Sequence, residues 1–176
     1  IKVPFIASMP GQIVQGAVNQ DLVSQYDFLP TLLDFVGIEN PEAGSLPGKS
    51  FANALRQREA SGDDHIIVYD EYGPVRMIRN AYWKYIHRNR FGRNELYHLE
   101  SDPAEARNLA GDPEYGRVEN ELRTRLAAWF ARYVDPSVDG NDEIVTGSGQ
   151  LGLCGKQAGG REAFSRARVE ALLSTK

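Results

Sequence analysis

The chain has 176 residues, 41% of them hydrophobic and 25% charged, which is the composition of one folded domain, or of a domain with a small appendage. A net charge of −4 argues against a nucleic-acid-binding or polybasic membrane protein, and no apolar run approaches the ~18 residues of a spanning helix. The single cysteine, Cys154, excludes an internal disulfide framework and a cysteine-based zinc cluster.

Residues 1–8 form a β-prone run closed by the turn Met9-Pro10-Gly11, and Pro4 places that run at an edge or a strand start. The run opens at Ile1 without a methionine, so the chain is expected to continue a longer protein. Over residues 22–37 the period becomes helical: Tyr26, Leu29, Leu33 and Val36 share a stripe, with Phe28, Leu32 and Phe35 beside it. So wide an apolar face predicts a helix buried on two sides, with Ser24 or Asp27 as its cap, Pro30 in its first turn and Gly37 as its stop.

A loop with one or two helical turns near residues 50–58 follows. Four short β-rich runs, 65–72, 75–80, 82–88 and 95–99, are joined by short turns and predict an antiparallel meander. Residues 113–134 predict the clearest helix: Tyr115, Val118, Leu122, Leu126, Trp129 and Tyr133 repeat at helical spacing, Asp112 caps it and Pro136 ends it. One apolar stripe implies packing on one face of the small sheet, an α+β layer. Residues 135–160 are a glycine-rich loop, and 161–173 carry a weak helical pattern.

No complete catalytic set emerges. Neither a Gly-x-Ser-x-Gly elbow nor a P-loop occurs. Lys156 two residues from Cys154 could lower its pKa, but an incidental loop thiol is the commoner case. His65, His87 and His98 lack the short spacings of zinc motifs, and the acidic run Asp139-Gly140-Asn141-Asp142-Glu143 lacks the ligand alternation of a calcium loop. Asp70 and Glu71 are adjacent, so a continuing strand would aim them at opposite faces. The basic stretch His87-Arg88-Asn89-Arg90-Phe91-Gly92-Arg93 could hold an anion through arginine forks or be a solvated loop.

Several segments in order resemble the C-terminal part of the sulfatases, within the alkaline-phosphatase-like superfamily. They are Val3-Pro4-Phe5-Ile6 with Met9-Pro10-Gly11; Val23-Ser24, Asp27 and Leu29-Pro30-Thr31-Leu32-Leu33-Asp34; Leu46-Pro47-Gly48-Lys49-Ser50; Arg76-Met77-Ile78-Arg79; Trp83-Lys84-Tyr85-Ile86; and Glu95-Leu96-Tyr97-His98-Leu99 with Asp102-Pro103 and Asn108-Leu109. The resemblance covers residues 1–134 and implies an α/β protein. Residues 1–64 would be the end of a catalytic core built on a large mixed sheet, with 22–37 as a flanking helix. Residues 65–134 would be a small antiparallel-sheet subdomain with a terminal helix, and 135–176 a glycine-rich extension that is a candidate homo-oligomer contact.

It further implies a sulfuric ester hydrolase with a formylglycine, made from Cys or Ser in Cys/Ser-x-Pro-x-Arg, beside a calcium ion. Here no such motif occurs, and Cys154 is followed by Gly155-Lys156-Gln157. The family's nucleophile and metal ligands precede the Val-Pro-Phe-Ile run, so this chain alone is expected to be inactive, to bind neither cofactor, and to need an N-terminal catalytic half as partner. Its expected contribution is a wall of the pocket for a small or carbohydrate sulfate ester, from Glu71, Tyr72, His87, Arg88 and Arg90, with the loop 146–151 as a further contributor. A phosphonate or phosphate ester hydrolase of the same superfamily, and a stand-alone interaction module, are the competing readings.

Overall fold

The computed structural model describes residues 3–56, 64–69, 74–89 and 92–143, with Gly152, Cys154, Glu170 and Ser174. The chain divides into two units, Ile1–Ile66 and Ile67–Lys176. No described helix is long and apolar enough to cross a membrane.

In the first unit, residues 3–8 form no strand. The expected β-run is a correction with a simple cause: a strand exists only through a neighbour that completes its backbone ladder, and β-propensity alone does not supply one. The Met9-Pro10-Gly11 turn does form, with Gly11 at φ 81° and the Ile13 N–H donating to the Met9 carbonyl at 2.9 Å. A 3₁₀ turn, Gln25–Asp27, leads into α1, Phe28–Val36, which Gly37 stops in the left-handed conformation (φ 74°). Pro30 sits in the first turn of α1, where its missing N–H costs nothing. Helical winding starts earlier than an Asp27 cap would allow. Ser24 is the extended cap residue, and Asp27 reaches back to accept its N–H at 2.6 Å.

Helix α1 buries its polar side. Asp27 is 6% and Thr31 4% exposed. Asp27 accepts the Lys49 N–H at 2.9 Å, Thr31 accepts the Phe51 N–H at 3.0 Å, and the Ser50 hydroxyl donates to Asp34 at 2.5 Å. Three residues at i, i+4 and i+7 thereby hold the segment 49–51, which enters the short helix α2, Ala52–Leu55. Gly48 is required there, because a Cβ would lie 1.9 Å from the Tyr26 carbonyl oxygen. The opposite side of α1 stays open: Phe28, Leu29, Leu32 and Val36 are each about half exposed. The expectation of a helix buried on two sides is therefore not met among the described residues.

The second unit is a four-stranded antiparallel meander in the order β1 (Ile66–Tyr69), β2 (Val75–Arg79), β3 (Trp83–Arg88) and β4 (Glu95–His98). Asn80 makes the β2–β3 turn, its side chain accepting the Tyr82 and Trp83 N–H groups at 2.9 and 2.7 Å. That turn sets the register Ile78↔Tyr85 and Arg76↔His87, and β4 continues it with Tyr85↔Leu96. Period-2 alternation sends Ile78, Tyr85 and Leu96 to one face, where all three are 0% exposed.

Helix α3, Gly116–Tyr133, covers that face with Leu122, Leu126 and Phe130. Burial of each such side chain stabilises by ~1.5–3 kcal/mol. A 3₁₀ turn, Pro113–Tyr115, precedes α3; Asp112 caps it by accepting the Glu114 N–H at 3.1 Å. Between β4 and α3, Asn108 binds the backbone of Leu96, Ala110 and Asn94, and Asp102 accepts the Ala106 and Arg107 N–H groups. The Asp-Pro…Asn-Leu signature is thus the clamp that fixes this loop to β4.

Candidate functional site

Arg76 and His87 are cross-strand partners on the face that α3 covers, at the end of the sheet beyond Ile78 and Tyr85. The Tyr85 hydroxyl lies 3.3 Å from His87 Nδ1. Arg76 is 8% exposed, and its guanidinium stacks 3.7 Å above the centre of the Phe130 ring while pairing with Asp139. Asn89, just past β3, donates to the Asn141 carbonyl at 2.8 Å and to Asp142 at 3.0 Å. Residues 139–142 therefore strap the polar end of the sheet.

The acidic run is engaged within the chain: Asp139 is an arginine's counter-ion and Asp142 accepts from Asn89. Among the described residues no group of three or more His, Cys, Asp and Glu is placed to hold a metal ion.

Electrostatics at this end favour an uncharged imidazole. Burial lowers the His87 pKa, and the positive charges of Arg76 and Arg123 lower it further. Burial raises the Tyr85 phenol to about 12, helped by Glu119 and opposed by Arg123. A neutral imidazole held through Nδ1 can offer its other ring nitrogen to a hydroxyl, and the tautomer follows from which of Tyr85 and His87 donates.

Arg88 lies on the opposite face, as the strand's alternation requires. Its Nε and a terminal nitrogen donate to one Glu95 oxygen at 3.0 and 2.6 Å, and the Tyr97 hydroxyl donates to the other at 2.8 Å. Burial alone would raise the Glu95 pKa; the hydrogen bonds from Arg88 and Tyr97 outweigh it and hold the carboxyl below its ordinary value. Burial and Glu95 together push Tyr97 up to about 12.

Of the five candidate pocket residues, His87 and Arg88 are adjacent yet face apart, and Glu71, Tyr72 and Arg90 lie outside the described residues, as does the loop 146–151. The Cys154 thiol is buried, which together with Glu143 raises its pKa, the opposite of an activated nucleophile.

Arg76, Tyr85 and Arg123 were not singled out from the sequence as site residues, and Asp139 was noticed there only as part of an acidic run. The short turn at Asn80 carries enough register information to pair Arg76 with His87. The Arg76–Asp139 contact spans 63 residues and leaves no local pattern.

Residues 1–131 match the family model described as N-sulphoglucosamine sulphohydrolase, C-terminal. A Delta 4,5-hexuronate-2-O-sulfatase of Bacteroides thetaiotaomicron is 35% identical over 142 residues, covering 76% of this chain and 29% of that protein. An N-acetylglucosamine-6-O-sulfatase of the same organism is 28% identical, covering 82% and 27%. A solved structure of a protein in complex with its substrate D-glucosamine-2-N,6-O-disulfate superposes with a TM-score of 0.54 at 28% identity, over 66% of this chain and 25% of that one. The phosphonate monoester hydrolase of Silicibacter pomeroyi superposes at 0.60 with 22% identity, over 73% and 28%, and shares the fold. The chain spans about a third or less of the length of the first three curated relatives it matches. Its motifs, its meander with a covering helix and its family match agree: the chain belongs to the sulfatases and is a C-terminal sulfatase domain of the alkaline-phosphatase-like fold.

Proposed function

We propose that the chain is the C-terminal portion of a sulfuric ester hydrolase that acts on a sulfated carbohydrate, and that it supplies part of the core and a wall of the substrate pocket. The observation that carries this reading is the family match over residues 1–131, together with relatives named for hexuronate and glucosamine sulfates. The open apolar side of α1 supports it, because so large a bare surface is the mark of an absent partner, here the catalytic half. The residues of this chain do not fit the calcium ion or the formylglycine of such an enzyme: Cys154 is buried and lacks the Pro-x-Arg context, and no described acidic cluster suits a metal. No chemical step is assigned to them.

His87 is the residue that binds substrate in this reading, as an uncharged hydrogen-bonding group, with Glu71, Tyr72 and Arg90 from the flanking loops. Arg88 acts through Glu95, fixing β3 to β4. The test is to assay the gene product in which this chain lies against 2-O-sulfated hexuronate, 6-O-sulfated glucosamine and a phosphonate monoester. Sulfate release, with a raised KM and little change in kcat for His87→Ala, is expected. Preference for the phosphonate would instead favour the hydrolase branch whose fold this chain shares.

A further inference from the structure

A cleft of about 230 Å³ opens in the second unit, at the end of the sheet opposite Arg76 and His87. Its walls include Trp83, His98 and Tyr115 as rings, and Ser101, Asp102 and Arg107 as polar groups. It is smaller than the ~300–1,000 Å³ of pockets for drug-sized ligands, and so suited to one ring-sized group. The geometry points to a binding site for a single uncharged pyranose ring of an oligosaccharide.

The aromatic part is already arranged. Trp83 and His98 are cross-strand partners with ring centroids 4.5 Å apart, and Tyr115 lies 5.9 Å from Trp83. A pyranose presents an apolar C–H face that stacks on an indole, and its equatorial hydroxyls need donors and acceptors at the rim. Asp102 supplies the acceptor. The backbone N–H groups of Arg107 and Ala106 hold its carboxyl below the usual pKa, so it is ionised at neutral pH. Those bonds, at 2.9 and 3.0 Å, reach one oxygen each, the Glu105 N–H adds a weaker one, and a carboxylate's roughly four acceptor sites leave room for a ligand hydroxyl.

Arg107 supplies the donor: its side chain is exposed and has no ion-pair partner among the described residues. His98 Nδ1 is engaged by the Ser101 hydroxyl at 2.6 Å, which fixes the ring in the cleft wall and leaves Nε2 as the nitrogen that can bond a ligand hydroxyl. One carboxylate and one guanidinium cancel, and a cleft without net charge favours a neutral polyol over an anion.

The cleft is also rigid before anything binds. Its wall from residue 99 to 109 is tied to β4 by the Leu109 N–H on the Leu96 carbonyl at 2.9 Å and by the Asn108 clamp, and Lys84 pairs with Glu105 at 2.5 Å. Glu105 adopts φ 56°, a left-handed conformation that a non-glycine residue keeps only when its surroundings hold it. A preformed wall spares a weak ligand the cost of ordering a loop.

The choice of a sugar among polyols rests on the carbohydrate reading above. Unsulfated probes and a binding readout separate its failure from failure of the sulfatase assignment. The experiment is ligand-observed saturation-transfer NMR on the full chain with methyl β-D-glucopyranoside, N-acetylglucosamine, cellotriose and chitotriose.

Saturable transfer concentrated on one ring face is expected for at least one probe, weakened about tenfold by Arg107→Ala and altered by Trp83→Phe. Arg107 is exposed, so its replacement leaves the fold intact, and an unchanged core-methyl spectrum checks this. Three results would overturn the site: no transfer at up to about 50 mM of any probe, transfer unchanged in Arg107→Ala, or displacement of the sugar by inorganic sulfate at equal concentration.

Discussion

Helices α1 and α3 both carry strong apolar stripes, yet they bury opposite sides. Helix α3 turns Leu122, Leu126 and Phe130 onto Ile78, Tyr85 and Leu96, and its solvent side is charged. Helix α1 turns Asp27, Thr31 and Asp34 onto the segment 49–51 and leaves Phe28, Leu29, Leu32 and Val36 open. In the first unit specificity comes from hydrogen bonds to backbone, while the hydrophobic face remains to be covered. The second unit has its hydrophobic pairing inside itself. An amphipathic pattern thus records a burial requirement without saying whether the same chain segment fulfils it.

The sharpest test of that contrast is in α3. Leu126→Ala should destabilise the second unit by about 2–5 kcal/mol, read from the denaturant midpoint, because a 3%-exposed side chain leaves a cavity. Next comes Asp27→Ala, which leaves the Ser24 and Lys49 N–H groups without their acceptor. About 1–3 kcal/mol should be lost in the first unit, with amide exchange accelerating at Lys49 before it does in the sheet.

Leu32→Ala, by contrast, should change the stability of the chain by less than about 1 kcal/mol, since the side chain is already 46% exposed. An open apolar face on α1 predicts concentration-dependent self-association in sedimentation velocity that Leu32→Glu reduces; association unchanged by Leu32→Glu would place the contact elsewhere.

The pH response belongs to the second unit. Tyr85 and Tyr97 ionise near 12 in the folded state against 10.0 ordinarily, so the stability they confer is complete below pH 10 and is lost as pH rises towards 12. His87 has the opposite sense. Its folded pKa is depressed below 6.5, so its contribution is present above 6.5 and disappears as pH falls through the folded value. The smallest expected effect is an upward shift of the His87 NMR titration midpoint in Arg123→Gln, since burial and not Arg123 is the main cause of the depression.

Much of the second unit was legible because its determinants are local. Alternation marked the strands, Asn80 marked the β2–β3 turn, and Asp112-Pro113 marked the start of the α3 region. Phe130 was missed, because helical spacing alone favoured Trp129 and Tyr133 as stripe members, whereas Phe130 is the core ring and Trp129 packs partly buried against it.

The first unit was legible in its boundaries but not in its logic. Asp27, Thr31 and Asp34 lie 22, 20 and 16 residues from the groups they bind, and no periodicity encodes that. At the candidate site, His87 was visible as a histidine at a strand end. Its neighbours Arg76 and Asp139 needed the folded chain.

The pairing of Arg76 with Asp139 has a bearing on synthesis. The guanidinium leaves the ribosome 63 residues ahead of its carboxylate, and the whole of α3 is translated between them. The Phe130 ring, nine residues ahead of Asp139, emerges first and can shelter the cation before its carboxylate arrives. The carboxylate that completes the pair is the last of the three groups to be translated. Cutting the gene at residue 131, where the family match stops, would remove Asp139 together with the last two residues of α3, and so leave Arg76 with the Phe130 ring but without that carboxylate.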